Sequence, residues 1–327
     1  MNRSLFDFDM SLKNVRTLVV VLLSTYLSFT YGQPVDTYES KSRIPDLINL
    51  FNDGGASGYN FIVAHRGDWR NAPENSIAAY QICIDAGFDA IEIDVQETKD
   101  GNLAIIHDLT LERTTNGKGN VAAYTMDELK SFKLKTGHGY PTTEIIPSID
   151  DVFGLLQGKT LIFVDKWRPV IGKVISKAKE FDCLDQLVVW ENISDIRDFE
   201  KKYTPDLSGL SYMPVLTLEK FGDSEEFEGL LNEFPKEIGV IGIKFSSSDL
   251  IKVDDFGSAA RRQGKRMMVF MQDPRICGGR GDDLAVNDIE SSYQWLLDRG
   301  ISIFFSDRPF LLRQYFDKEA NIESNKE

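Results

Sequence analysis

Residues 90–108 read AIEIDVQETKDGNLAIIHD. Ile91, Ile93 and Val95 alternate with Glu92 and Asp94, and side chains on a strand alternate between its faces. One face is therefore aliphatic, for helices to pack on, and the other carries two carboxylates. Asp100-Gly101 is a two-residue hairpin signal between two apolar stretches. With those residues as the loop, Lys99 pairs with Asn102, and the register carries on until Asp94 lies opposite His107. The strand then overshoots its sheet, turns, and returns a histidine beside an acid.

Short apolar runs recur on both sides of this stretch: Phe61–Ala64, Leu161–Val164, Leu187–Trp190, Leu207–Tyr212, Val240–Phe245, Met267–Met271 and Ile301–Phe305. Helix-like segments such as Ile77–Ala86 and Ile171–Phe181 lie between them. Alternation of strand and helix implies parallel strands with crossover helices, and eight such units in about 250 residues is the size of a TIM (β/α)8 barrel. The expected fold is therefore an α/β barrel over residues 59–317. A β-hairpin and a small loop insertion, residues 109–147, follow its second strand. Residues 33–58 form a lead-in with room for one short helix, and 318–327 a polar tail.

The 327 residues carry 37 Lys and Arg against 51 Asp and Glu, a net charge of −14 that disfavours nucleic-acid backbones as partners. Cys83, Cys183 and Cys277 are too widely spaced for a disulfide framework or a CxxC site. At the amino terminus, Arg3, Lys13 and Arg16 precede an apolar run from Leu18 to Phe29, too short to span a bilayer comfortably. Thr30-Tyr31-Gly32 then supplies small residues. Residues 1–32 read as a signal peptide cleaved near Gly32, so the expected protein is exported, periplasmic or secreted, with no stable span in its mature form. An uncleaved amino-terminal anchor is the alternative.

The chemistry gathers at strand ends: His65-Arg66, Glu92 with Asp94, His107-Asp108, and Asp165-Lys166. Two carboxylates aimed into a barrel are costly unless paired or bound to a cation. With Asp165 as a third oxygen donor they suit one divalent ion, Ca²⁺ or Mg²⁺; the bland alternative is ion pairing with Arg66 or Lys166. Displacement at a phosphodiester needs a base for the nucleophile and an acid for the leaving group, and His65 and His107 have the intrinsic pKa for both. Arg66 offers a fork for phosphate oxygens, and Lys166 a point charge. Such a set is coherent for a small anionic substrate. Trp69 and Trp167 stand beside it as candidate walls of an apolar leaving-group pocket. His138 reads as a surface residue, and Gly278-Gly279 with Asp282-Asp283 as a loop near the rim.

These residues resemble the glycerophosphodiester phosphodiesterase family, within the wider phospholipase C-like phosphodiesterases. The resemblance rests on Ala64-His65-Arg66-Gly67, Pro73-Glu74-Asn75-Ser76, Ile91-Glu92-Ile93-Asp94-Val95, Thr98-Lys99-Asp100-Gly101 and Ile106-His107-Asp108. Arg113-Thr114-Thr115-Asn116-Gly117-Lys118-Gly119 and Ser306-Asp307-Arg308-Pro309 extend it to most of the chain. It implies His65 and His107 as the acid–base pair, Glu92 and Asp94 as metal ligands, and Arg66 as a phosphate contact. Glu74 would be a supporting carboxylate, with Asn75 also a helix cap. The implied reaction is metal-dependent hydrolysis of deacylated phospholipids, such as glycerophosphocholine or glycerophosphoethanolamine, to glycerol 3-phosphate and an alcohol.

The family usually spaces an acid and a lysine two apart on the third barrel strand, whereas Asp165 and Lys166 are adjacent. A regular strand would point them to opposite faces, so either the strand ends at Asp165 and Lys166 bends over the rim, or only one keeps its role. Asp68-Trp69-Arg70 also replaces the small residues common after Gly67, which reshapes the pocket. Two other readings stand beside hydrolysis: attack by a substrate hydroxyl to give a cyclic phosphate, and a non-catalytic barrel that binds a polyol phosphate.

Overall fold

The computed structural model describes residues 43–204 and 207–324. The expected signal peptide and the start of the lead-in lie outside these residues. In chain order the helices and strands are α1 (Ile44–Asn52), β1 (Phe61–Ala64), α2 (Ile77–Asp85), β2 (Ala90–Glu97), β3 (Leu103–Ile105), α3 (Met126–Leu129), β4 (Lys133–Lys135), β5 (Pro141–Ile145), α4 (Ile149–Leu156) and β6 (Leu161–Asp165). There follow α5 (Ile171–Glu180), β7 (Leu187–Asn192), α6 (Ile196–Lys202), β8 (Ser211–Thr217), α7 (Ser224–Glu233), β9 (Val240–Lys244), α8 (Val253–Arg262) and β10 (Arg266–Phe270). The chain ends with α9 (Asp282–Ala285), α10 (Trp295–Asp298), β11 (Ile301–Ser306) and α11 (Pro309–Ser324), so residues 318–324 continue the last helix. No helix among the described residues is long and apolar enough to cross a membrane.

Eight parallel strands, β1, β2 and β6 to β11, close on themselves through the β1–β2 and β1–β11 pairings: a TIM barrel. Inward columns follow strict alternation. Phe61 and Val63, Leu161 and Phe163, Met213 and Val215, Met268 and Phe270, and Ile303 and Phe305 fill the interior. Ile44, Leu47 and Phe51 of α1 plug its amino-terminal end. There the fully buried Arg266 spends its guanidinium on the carbonyls of Leu50, Tyr59 and Ser302. The opposite strand faces form a second core with the helices, including Ile91, Ile93 and Val95. Cys83, Cys183 and Cys277 are free and buried.

Two expectations shift. The fifth barrel strand is Ser211–Thr217 rather than Leu207–Tyr212, because Gly209, at a φ of 90°, turns the chain first. The hairpin register is one residue off. Val95 pairs with Ile105 and Glu97 with Leu103, and Ile106, not His107, donates its amide to the Asp94 carbonyl at 2.9 Å. The loop holds three residues, not two: the Gly101 amide closes a turn on the Thr98 carbonyl at 3.0 Å, and Gly101 takes a φ of 77°.

The segment after the hairpin is more than a loop. α3 and the β4–β5 ribbon enclose a small core of their own, with Leu111, Val121, Leu129, Leu134 and Ile146 against Ala104 and Ile106.

Candidate active site

Continuing each inward column past the last aliphatic residue brings polar groups to the carboxyl-terminal mouth. Val63 is followed by His65, Ala90 by Glu92 and Asp94, and Phe163 by Asp165. Val240 and Gly242 lead to Lys244, and Phe305 to Asp307. Alternation thus converts a hydrophobic barrel into a charged cup at one end, the end where TIM barrels carry their sites. Phe305 forms part of its floor. Its ring centroid lies 5.0 Å from that of His65, 5.3 Å from Phe270 and 5.9 Å from Trp190.

Glu92, Asp94 and Asp165 each offer an oxygen, and these atoms lie within 4.8 Å of one another. In the β2–β6 pairing Asp94 is directly beside Asp165. Burial, and then the charges of Asp94 and Asp165, push the Glu92 carboxyl well above its ordinary pKa. Burial also opposes ionisation of Asp94, but Arg66 and Lys166 outweigh it and hold that carboxyl below its usual value. Asp94 Oδ1 meets Lys166 Nζ at 3.2 Å, and Oδ2 accepts from Asn75 Nδ2 at 2.8 Å. Arg66 Nε is 3.3 Å from Oδ2, yet it is buried without a hydrogen-bond partner. Asp94 is thus ion-paired as in the bland reading, while among the described residues Glu92 accepts a single hydrogen bond, from the Arg66 amide at 2.9 Å. An all-oxygen set with an undercompensated acid fits a hard divalent cation.

Arg66, Asn75 and Lys166 take left-handed backbone conformations, with φ of 55°, 56° and 57°. Each costs about 1–2 kcal/mol for an ordinary L-residue and here serves placement. For Lys166 it resolves the adjacency: β6 ends at Asp165, the backbone reverses, and the ammonium swings back to Asp94. For Asn75 it corrects the expected cap. Ser76 caps α2, accepting from the Ala79 amide at 3.1 Å, while Asn75 turns inward to Asp94 and takes the Tyr80 hydroxyl on its Oδ1 at 2.7 Å.

Each histidine is held by its own carboxylate. His65 Nδ1 lies 2.6 Å from Asp307 Oδ1, and His107 Nδ1 lies 2.6 Å from Asp108 Oδ1. A carboxylate only accepts, so Nδ1 carries the proton and Nε2 is left to face other partners. His65 Nε2 is 4.0 Å from Glu92 Oε2. Asp108 is clamped by Arg113, which holds it far below the usual carboxylate range. Arg113 also reaches Glu74 at 2.6 Å, and Glu74 meets Arg66 Nη1 at 2.9 Å. A chain of opposite charges therefore runs from Asp108 through Arg113, Glu74 and Arg66 to Asp94, with the His107 ring hydrogen-bonded at its outer end.

Every expected site residue is at this mouth, though one expected neighbour is not. Trp167 is buried in the outer core and donates its indole N–H to the Trp190 carbonyl at 3.2 Å, so the tryptophan over the barrel interior is Trp190. Trp69 does border the site, giving its Nε1–H to Asp307 at 2.7 Å. The roles of Asp307 and Arg113 were missed from sequence, as was the placement of Lys244, whose ammonium bonds to Asn192 Oδ1 at 2.8 Å. For Asp307 and Lys244 strand parity was the available signal, since each falls on an inward column. His138 is exposed.

A family profile described as Glycerophosphoryl diester phosphodiesterase family matches residues 65–310. A glycerophosphodiester phosphodiesterase of Caldanaerobacter subterraneus is 38% identical over 162 residues, covering 46% of this chain and 66% of that protein. The chain thus spans no more than about two thirds of that curated relative. A glycerophosphoryl diester phosphodiesterase structure from Parabacteroides distasonis superposes with a TM-score of 0.63 at 24% identity, covering 84% of this chain and 92% of that one. An Oleispira antarctica phosphodiesterase, solved in complex with the product sn-glycerol-3-phosphate, does so at 0.56 and 22%, covering 80% and 98%. At these identities the two structures speak to the fold, and the profile match from His65 to Phe310 decides the rest: the chain belongs to the glycerophosphoryl diester phosphodiesterase family.

Proposed function

We propose that the protein hydrolyses glycerophosphodiesters to glycerol 3-phosphate and an alcohol, with His65 and His107 as the proton carriers. The observation that supports this most is the pair of carboxylate-held imidazoles at the mouth that also holds the three-acid cluster. One Nε2 takes the proton of the attacking water, and the other gives a proton to the departing alkoxide, so the pair ends with its protons exchanged, and proton exchange with solvent water restores it before the next turnover. Arg66, with its planar guanidinium, and Lys166, with its ammonium, are suited to phosphate oxygens. Glu74 fixes Arg66 in place, and Asn75 fixes Asp94.

Glu92, Asp94 and Asp165 would hold one Ca²⁺ or Mg²⁺. Such an ion offsets the repulsion between three carboxylates and an anionic diester, and stabilises charge developing on the phosphoryl group. The Oleispira antarctica complex is consistent with a small phosphorylated ligand in this fold. The basic, apolar amino-terminal run supports export of the protein. A panel of glycerophosphodiesters assayed with and without Ca²⁺ and Mg²⁺, with products read by phosphorus NMR, tests the proposal. Linear glycerol 3-phosphate formed only with the ion is the expected result. A cyclic phosphate would transfer the attack to a substrate hydroxyl, and no turnover on the whole panel would favour a binding barrel.

A further inference from the structure

Asp307, which holds His65, has a support of its own. Its backbone amide donates to Asp282 Oδ2 at 2.6 Å, while Asp282 Oδ1 accepts from Ser306 Oγ at 2.7 Å and from the Tyr293 hydroxyl at 3.1 Å. Asp282 is 2% exposed. It is locked by its backbone as well: its amide bonds to the Met271 carbonyl at 3.1 Å. The preceding Gly281 passes so close that a Cβ there would fall 2.4 Å from that same oxygen. Met271 in turn donates to the Phe305 carbonyl at 2.8 Å. The loop after β10 is thus tied to the end of β11 at several points, and the acid sits at their centre.

A buried carboxylate beside a second carboxylate, Asp307, is an expensive way to satisfy one amide. Both Asp282 oxygens are engaged, one by the two hydroxyls and the other by the residue that aims at His65. We propose that Asp282 is a positioning residue. It fixes the Asp307 backbone so that a single carboxylate oxygen meets both His65 Nδ1 and Trp69 Nε1, and it thereby sets the tautomer and orientation of His65. This rests on the reading of His65 as a proton carrier, but its central consequence is visible without turnover.

The chain contains three histidines, so its imidazole ¹H–¹⁵N spectrum is simple, and His65→Gln identifies the His65 signals. In Asp282→Asn an amide replaces one acceptor oxygen with a donor. The Nδ1–H resonance of His65 then moves, while the signals of His107, held by Asp108, stay in place as an internal control. On a turned-over diester, kcat falls about tenfold or more with KM little changed, the usual scale for loss of an outer partner. Tyr293→Phe removes one donor from Asp282 without touching Asp307 or His65, and it gives a smaller His65 shift in the same direction. It serves as the deciding variant if Asp282→Asn does not fold. Unmoved His65 signals in a folded variant, with only a lower Tm, would mean that Asp282 merely holds the fold and would overturn the proposal. A wild-type protein inactive on every glycerophosphodiester would defeat the proposed function instead and leave the spectral result standing.

Discussion

The imidazole of His65, just past the first barrel strand, meets the carboxylate of Asp307, just past the last, at 2.6 Å. Closure of the barrel makes this contact across 242 residues of sequence. Asp307 is largely buried, which opposes its ionisation. The His65 and Trp69 hydrogen bonds more than compensate and hold it below the usual carboxylate value. Asp307→Asn keeps the shape and lets the wrong ring nitrogen carry the proton. Turnover should fall on the order of 100-fold, with thermal unfolding still cooperative. Steady-state kinetics beside a melting curve checks this, and wild-type kcat in the variant would remove Asp307 from the machinery.

Burial, reinforced by the Asp307 charge, pushes Asp282 up to about 6, although the Ser306 and Asp307 hydrogen bonds pull the other way. The folded state therefore takes up a proton as pH falls through about 6, while an unfolded aspartate waits until about 3.9. Between these values the folded form binds more protons, so this group makes the protein more stable as pH falls and less stable as it rises. At most about 3 kcal/mol is involved over that span, taking about 1.4 kcal/mol per pH unit. Denaturant unfolding of wild type and Asp282→Asn at pH 4.5 and 7 should give a stability difference that changes with pH in this sense. A constant difference would show that Asp282 does not titrate there.

Glu92 is the acid with the most to gain from a cation. Saturating Ca²⁺ or Mg²⁺ should raise Tm by several degrees: 100-fold excess over Kd corresponds to about 2.7 kcal/mol. Glu92→Gln should abolish the rise, and Asp165→Asn should weaken it. Because Glu92 holds its proton to unusually high pH, the ion competes with that proton, and the rise should shrink as pH is lowered. A cation-induced shift equal in wild type and Glu92→Gln would locate binding elsewhere.

Much of this site was legible from residues 90–108 and from strand parity alone. Alternation put Glu92 and Asp94 on one face and correctly aimed them inward. What stayed hidden was set by backbone torsions and by chain closure. The turn type at Gly101 moved the hairpin register by one residue. A left-handed residue at Lys166 returned its ammonium to Asp94, which a regular strand forbids. Trp167 lies just past the end of β6 and departs from its inward column, whereas Trp190 stays on the column of Val188. Asp307 and Asp282 gain their meaning only when the last strand closes against the first.

Under the proposed reaction, the rim beside Trp69 is the wall offered to the alcohol half of the diester. The Arg70 guanidinium lies 4.0 Å from the Trp69 ring centroid, so one cation seat on that indole is already taken. A 460 Å³ cavity bordered by Trp69, Arg70, His138 and Tyr140 has no carboxylate in its lining. A quaternary ammonium gains little there. Glycerophosphoglycerol should be cleaved at least as well as glycerophosphocholine, and Arg70→Glu should shift the kcat/KM ratio toward the choline ester by about two- to fivefold, the scale of an exposed cation–π contact. A strong wild-type preference for choline, insensitive to Arg70, would contradict this.

The most direct test compares kcat of the cation-loaded wild type with that of His65→Ala and His107→Ala on one glycerophosphodiester. Both variants should unfold cooperatively near the wild-type Tm, because both rings lie at the rim. Each should lose on the order of 100-fold to 10,000-fold in turnover, and the double variant little more than the worse single, since the two act as one unit. Turnover that persists at the wild-type rate without either imidazole would contradict the account.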